Sequence, residues 1–145
     1  MIKIDNKIHL YWNDIELLTD KLCEEITKIP NVTHISGLSR GGLIPAVIVS
    51  HKLNLPYTDK ILWSDDKVIR NTLLIDDICD SGETLYNSEA AITAVLHHKP
   101  HTARFTPTAY AQRLDGDEWI IYPWERSDSK AIQDYKLRSA APEYL

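Results

Sequence analysis

One short segment, "LLIDDICDSGETL", combines adjacent acids with a small hydroxyl-rich turn. The neighbouring carboxylates of Asp76 and Asp77 suit a vicinal diol, a hydrated Mg²⁺ or both. The turn that follows, "DSGET", would place backbone amides and two hydroxyls at the start of a helix, where anions are favoured. Asp80 lies between these groups and can handle a proton. A sugar with a diol and a phosphate, such as a ribose phosphate, would use all three parts.

The same residues also have simpler explanations. A strand that ends in two aspartates occurs in many α/β proteins as a metal site or a helix cap, and Asp80 can be the N-cap of the following helix. Cys79 lies among the acids, where a reactive thiolate is disfavoured, so packing is the expected role of its side chain. The acid pair alone therefore leaves the diol, metal and capping roles open.

A second segment, "GLSRGGLIPA", carries an arginine beside two glycines after an earlier apolar run. Gly41 and Gly42 allow close approach of the backbone to a ligand. The guanidinium of Arg40 can bind two pyrophosphate oxygens at once. An ordinary glycine-rich turn between a strand and a helix has the same pattern, so this segment alone does not define a ligand.

A third segment, "DEWIIYPWE", places a tryptophan in a short apolar run. The indole of Trp119 can stack on any flat base. An ordinary strand with core tryptophans would also fit.

Taken together, these segments resemble a known family. "LLIDDICDSGETL" resembles the signature for phosphoribosyl pyrophosphate (PRPP) in type I phosphoribosyltransferases, and "SRGGL" with the following "PA" is similar to the pyrophosphate loop of the 6-oxopurine members. "YPWE" and "LYWND" resemble parts of the bacterial xanthine–guanine enzymes. The similarity extends from Tyr11 to about Glu125. It implies a PRPP-binding domain with a parallel sheet and a small hood over the active site.

The resemblance also implies a reaction and its residues. Ribose 5-phosphate would pass from PRPP to a purine-like base, most readily guanine, xanthine or hypoxanthine, with release of pyrophosphate and Mg²⁺ as cofactor. Asp80 and Arg40 are the implied catalytic residues, Asp77 the implied metal ligand, and Trp119, Ile120 and Tyr110 the implied base contacts. The implied contacts to PRPP and its phosphates are Ser39, Arg40, Gly41, Gly42, Asp76, Asp77, Asp80, Ser81, Gly82, Glu83 and Thr84.

Two features depart from the 6-oxopurine enzymes. Residues 65–71, "DDKVIRN", form a short connection where those enzymes usually carry a longer loop that closes over PRPP. Lys67 or Arg70 can reach the pyrophosphate from there, or can be solvated charges. Those enzymes place a lysine, after a late strand, against the purine 6-oxo group. Alignment of "TARFTPTAYAQ" puts Tyr110 near that position, with Gln112 and Arg113 just beyond, and in this alignment the lysine is absent. A PRPP- or nucleotide-sensing regulator with little catalysis is therefore the alternative function.

The elements that must position these motifs alternate between helices and strands. Amphipathic spacing predicts helices over residues 13–29, 43–54 and 82–98. Apolar runs predict strands over residues 32–38, 60–64, 72–76, 102–110 and 118–124. This alternation predicts an α/β fold with right-handed crossovers and a mostly parallel sheet.

Bulk properties bound the remaining possibilities. The 145 residues fit one domain, with a core at about residues 13–110 and a hood and tail at about residues 111–145. The net charge of −5 argues against nucleic acid or an anionic membrane as partner. Two cysteines and no signal peptide favour the cytoplasm. A homo-oligomer, dimer or tetramer, is the expected assembly. The histidines of "HHKPH" are expected at a helix end rather than at a metal.

Overall fold

The computed structural model describes residues 1–59 and 70–126, and the chain divides into two compact units. The larger unit is Asn13–Gly116, and the smaller combines Met1–Trp12 with the segment from Asp117 onward. The predicted strand over residues 60–64, Lys67 and the tail beyond residue 126 lie outside the described residues, as does most of the short connection. The elements are β1 (Ile2–Ile4), β2 (Lys7–His9), α1 (Trp12–Ile26), β3 (His34–Gly37), α2 (Leu43–Leu53), β4 (Thr72–Cys79), α3 (Glu83–Ser88), β5 (Ile92–His98), β6 (Ala109–Arg113) and β7 (Trp119–Ile121).

The larger unit is built on a four-stranded sheet in the order β3-β4-β5-β6, and every neighbouring pair is parallel. This confirms the predicted α/β fold with a parallel sheet. Leu73, Leu74 and Ile75 in β4 are all fully buried. A strand covered on both faces reads as a continuous apolar run rather than as an alternation, which is why the sequence signals it so clearly.

Among the described residues, helices α1 and α2 agree with the sequence. In α1 the side chains of Ile15, Leu22 and Ile26 are buried, as the predicted apolar stripe requires. The helix ends at Ile26, three residues before the predicted end. In α2 Pro45 is buried in the first turn, where the missing amide costs no helical hydrogen bond. This helix packs against β3 and β4.

The predicted helix over residues 82–98 is wrong. The structure has a six-residue helix, α3, whose C-cap residue Glu89 lies in the left-handed region (φ 57°), and the chain then continues as strand β5. Six of the seven residues of β5 are buried, so the strand shows no alternation that would distinguish it from a buried helix. Consequently "HHKPH" spans the end of a strand, with His97 and His98 inside β5, and does not lie at a helix end. Strand β6 also begins late, after Pro107, so the predicted strand over residues 102–110 is correct only at its end.

The smaller unit contains a three-stranded sheet in the order β1-β2-β7. β1 and β2 form an antiparallel hairpin whose turn has Asp5 at φ 55°, and β7 pairs in parallel with β2. The sequence analysis missed the hairpin, although "IKIDNKIH" alternates around an Asp-Asn turn. In the described residues no helix is long and apolar enough to cross a membrane.

Candidate active site

The pairing of β3 with β4 brings the two main motifs together. Gly37 is opposite Ile75, and the amide of Leu38 donates to the carbonyl of Ile75 at 2.8 Å. The arginine–glycine loop therefore leaves β3 beside the point where Asp76 and Asp77 follow in β4. Ligands in open parallel sheets bind beyond this carboxyl edge.

The glycines of the loop are required by contact with β4. A Cβ built on Gly41 would overlap the carboxylate of Asp77, and one built on Gly42 would overlap the carbonyl oxygen of Ile75. Gly42 also starts α2, where its carbonyl accepts the amide of Ala46 at 3.0 Å. Ser39 and Arg40 lie in the same loop, and Arg40 is exposed. The loop thus lies directly against the acid pair.

The acid pair lies inside the end of a longer strand than predicted, since β4 continues to Cys79. Oδ1 of Asp76 accepts the amide of Asp77 at 2.9 Å, and Oδ1 of Asp77 accepts the amide of Ile78 at 2.7 Å. Both side chains are half-buried. These bonds fix one oxygen of each carboxylate to the backbone and so orient the pair at the sheet edge.

Asp80 is not a helix cap. The cap position of α3 is Gly82, which makes no side-chain cap bond. Oδ1 of Asp80 instead accepts the hydroxyl of Thr102 at 2.7 Å, and its Oδ2 lies 3.9 Å from Nζ of Lys99. The side chain of Asp80 is 47% exposed, so it remains accessible to a ligand.

The turn at residues 81–84 is held in shape by glycine and serine. Gly82 has φ 77°, and a Cβ there would lie 2.8 Å from Cβ of Phe105, so both conformation and space require glycine. Oγ of Ser81 accepts the amide of Glu83 at 3.2 Å. The helix that follows is short, and Thr84 lies in its first turn.

The sequence analysis missed Lys99. This lysine comes directly after β5, its side chain is 6% exposed, and its amide donates to the carbonyl of Cys79 at 2.9 Å. Tyr110, the residue expected at the lysine position, lies inside β6 opposite Val95, and its ring contacts His98 at 5.3 Å between centroids. The signal was present: an apolar, β-branched run ending in "KP" indicates a buried strand with a lysine at its carboxyl end.

Burial controls the titration of two neighbouring groups. Burial first, then the charges of Asp76 and Asp80, raises the pKa of the Cys79 thiol to about 11, which agrees with a packing role. Burial lowers the pKa of His97 to about 4, although a hydrogen bond with Gln112 opposes the shift. Both side chains are therefore uncharged near neutral pH.

The other predicted contributors come from segments outside the two motifs and β5. Arg70 precedes the amino end of β4, and about 13 Å of strand, from Thr72 to Asp76, separates that end from the acid pair. Trp119 and Ile120 belong to the smaller unit: Trp119 is 39% exposed and Ile120 is buried. Their roles as base contacts stay predictions. Across residues 1–59 and 70–126, no group of three or more His, Cys, Asp or Glu side chains is arranged to hold a metal.

Known proteins resemble this chain over most of its length. A xanthine-guanine phosphoribosyltransferase from Cereibacter sphaeroides is 31% identical over 127 residues, and the match covers 72% of this chain and 75% of that protein. One from Idiomarina loihiensis is 26% identical over 136 residues, with 79% and 84% covered. The structure of a purine phosphoribosyltransferase from Pyrococcus horikoshii matches with a TM-score of 0.70 and 26% identity, over 89% of this chain and 99% of that one. No protein-family model matches the chain.

Proposed function

Because this chain belongs to the type I phosphoribosyltransferase family, we propose that it transfers ribose 5-phosphate from PRPP to a 6-oxopurine base and releases pyrophosphate. The names of its relatives favour an enzyme over a sensor of the same fold. The observation that carries the proposal is the contact between the Gly41 loop and the carboxylate of Asp77. At one edge of the sheet, this contact brings a loop that could bind pyrophosphate next to an acid pair that could bind the hydroxyls of a diol.

The parts of PRPP correspond to separate groups along that edge. Arg40 and the amides of its loop would hold the pyrophosphate, with Ser39, Gly41 and Gly42 shaping the loop. Asp76 and Asp77 would accept the ribose hydroxyls. The turn of Ser81, Gly82, Glu83 and Thr84 would bind the 5′-phosphate through backbone amides and hydroxyls.

The acid pair also suits Mg²⁺. This ion is commonly bound by one or two carboxylates, with substrate phosphates and waters completing its shell, so three protein ligands are not required. Asp77, and with it Asp76, would hold the ion, which supplies positive charge to the departing pyrophosphate when bound.

The chain's own residues would then support the reaction as follows. The bond from ribose C1 to the pyrophosphate oxygen breaks, and the pyrophosphate leaves with the electron pair. The sugar gains positive charge at C1, as in glycoside cleavage, and a base nitrogen forms the new bond. Asp80 accepts the proton from the base or holds that nitrogen in place. Arg40 stabilises the charge on the leaving group.

Lys99 supports a 6-oxopurine as the base. Its ammonium is nearly buried and lies 3.9 Å from Asp80, so a base that reaches Asp80 also reaches this donor. The resembled enzymes place a lysine after a late strand against the purine 6-oxo group, and Lys99 follows β5 in that manner. A carbonyl at this position would accept from the ammonium, whereas the 6-amino group of adenine would face a second donor. Trp119 would stack on the base, which remains a prediction.

A pyrophosphate-release assay tests the function. The protein is incubated with PRPP and Mg²⁺ and with guanine, xanthine, hypoxanthine, adenine, uracil or orotate. We expect release with at least one 6-oxopurine and little with adenine, uracil or orotate. If none of the six bases produced pyrophosphate release, a sensor would be supported instead. If release were equally fast when the base was omitted, it would indicate hydrolysis of PRPP rather than transfer.

A further inference from the structure

The chain that follows β5 turns back immediately onto Asp80. The carbonyl of Lys99 accepts the amides of Thr102 at 3.3 Å and Ala103 at 3.0 Å. Pro100 occupies the second position of this turn, where its fixed φ favours the bend. The turn directs the side chain of Thr102 to Asp80.

Backbone bonds on both sides already fix the main chain around Asp80. The amide of Lys99 donates to the carbonyl of Cys79 at 2.9 Å, and the amide of Arg104 donates to the carbonyl of Ser81 at 2.8 Å. Residues 99–104 therefore run beside residues 79–81. With the main chain held in this way, what remains to be set is the orientation of the Asp80 carboxylate.

The hydroxyl of Thr102 has one proton and two close acceptors on Asp80. It lies 2.7 Å from Oδ1 and 3.0 Å from the backbone carbonyl. The shorter contact is to a charged acceptor, so it is the stronger bond. The site is exposed to solvent, where one such bond contributes little to global stability.

We propose that Thr102 is a positioning residue for Asp80. By donating to Oδ1, it holds the carboxylate so that Oδ2 faces Lys99 and the base. This inference rests on the proposed function. It assigns a role to a residue that lies outside both the PRPP signature and the pyrophosphate loop. Without the hydroxyl, the carboxylate would rotate among several orientations, and only some of them suit proton transfer.

Three variants of the full-length protein test this role by steady-state kinetics. Thr102→Val keeps the shape and removes the donor, Thr102→Ser keeps the donor, and Thr108→Val is a matched control. The Thr108 hydroxyl accepts the amide of Thr93 at 3.1 Å, a bond that joins β5 to the chain before β6 and does not involve Asp80. We expect Thr102→Val to lower kcat about 10- to 100-fold, with the KM for PRPP within about twofold of wild type.

Recovery and stability separate positioning from a structural effect. Thr102→Ser should recover most of the lost turnover. Thr108→Val should lower the thermal midpoint and leave kcat near the wild-type value. The inference is overturned if Thr102→Val keeps full kcat, if Thr102→Ser is as impaired as Thr102→Val, or if the loss is entirely in KM. A wild-type protein inactive on every purine would refute the proposed function and this role with it, whereas an active wild type with an active Thr102→Val would refute this role alone.

Discussion

Two regions of the same sheet edge are assembled in different ways. At the ends of β3 and β4, glycines bring the backbone of the Arg40 loop against Asp77, so main-chain contacts dominate. At the end of β5, the side chains of Lys99 and Thr102 converge on Asp80. Under the proposed function, the first region would hold the sugar pyrophosphate. The second region would contact the base, so we expect changes in each region to affect different kinetic parameters.

Asp80 should show the largest effect, since its carboxylate would handle the proton of the base in the proposed reaction. We expect Asp80→Asn to lower kcat by about 100-fold or more, because general acid–base catalysis typically contributes that much. PRPP affinity should change little. Steady-state kinetics together with PRPP titration by calorimetry would measure both. Equal losses in turnover and PRPP affinity would instead indicate that Asp80 is structural, and the division between the regions would fail.

Arg40 tests the first region by itself. We expect Arg40→Ala to weaken PRPP and pyrophosphate about 10- to 100-fold, since hydrogen bonds between charged groups are lost. Binding of the nucleoside monophosphate, which lacks a pyrophosphate, should be nearly unchanged and serves as the internal control. Calorimetric titrations that gave the same loss for all three ligands would contradict the pyrophosphate-loop assignment.

Lys99 tests the second region, with Tyr110 as its matched alternative. We expect Lys99→Met to raise the KM for a 6-oxopurine about 10-fold, because the donor to the carbonyl is removed. The KM for PRPP should change much less. Tyr110→Phe removes the phenolic hydroxyl that the sequence alignment placed near the 6-oxo group, and it should leave the KM for the base almost unchanged. If Tyr110→Phe raised the KM for the base and Lys99→Met did not, the alignment would be right and our assignment from the structure wrong.

The first region could be predicted from the sequence because its information is local. The residue types from Asp76 to Thr84 and around Arg40 carry their own chemistry, and a parallel sheet aligns the strand ends wherever the strands begin. The contact between Gly41 and Asp77 follows from that register. The sequence did not predict the length of β4, because an apolar run does not indicate where strand pairing ends.

The second region could not be predicted because one element was assigned the wrong type. Leu85, Val95 and Leu96 fit a helical spacing, and a buried strand offers no alternation against it. The break is at Glu89, a non-glycine residue in the left-handed region, which few sequence rules anticipate. With β5 missing, Lys99 had no strand end to occupy, and the base contact was sought at Tyr110 instead. Thr102 was missed for the same reason, because its role depends on a turn after that strand.

A separate prediction concerns stability, and not activity, at the buried end of β5. His97 has a pKa of about 4 in the folded protein because of its burial, whereas an unfolded chain would have an ordinary value of about 6.5. Between these values the unfolded state binds the proton and the folded state does not. The free energy of unfolding is therefore not reduced by this group above pH 6.5, and it falls by about 3 kcal/mol as the pH falls toward 4.

Denaturant unfolding at pH 7 and pH 4 measures this loss directly. In His97→Gln the drop in unfolding free energy between the two pH values should be smaller by about that amount. His51→Gln, which changes an exposed histidine on α2, should keep the wild-type drop. The same drop in wild type and His97→Gln would mean that His97 is hydrated in solution, so the end of β5 would be as open to water as the Arg40 loop. A smaller drop in His97→Gln alone would support burial of the His97 imidazole away from water, in contrast to the exposed Arg40 of the loop after β3, and a buried setting of this kind is one in which the ammonium of Lys99 interacts more strongly with a bound carbonyl.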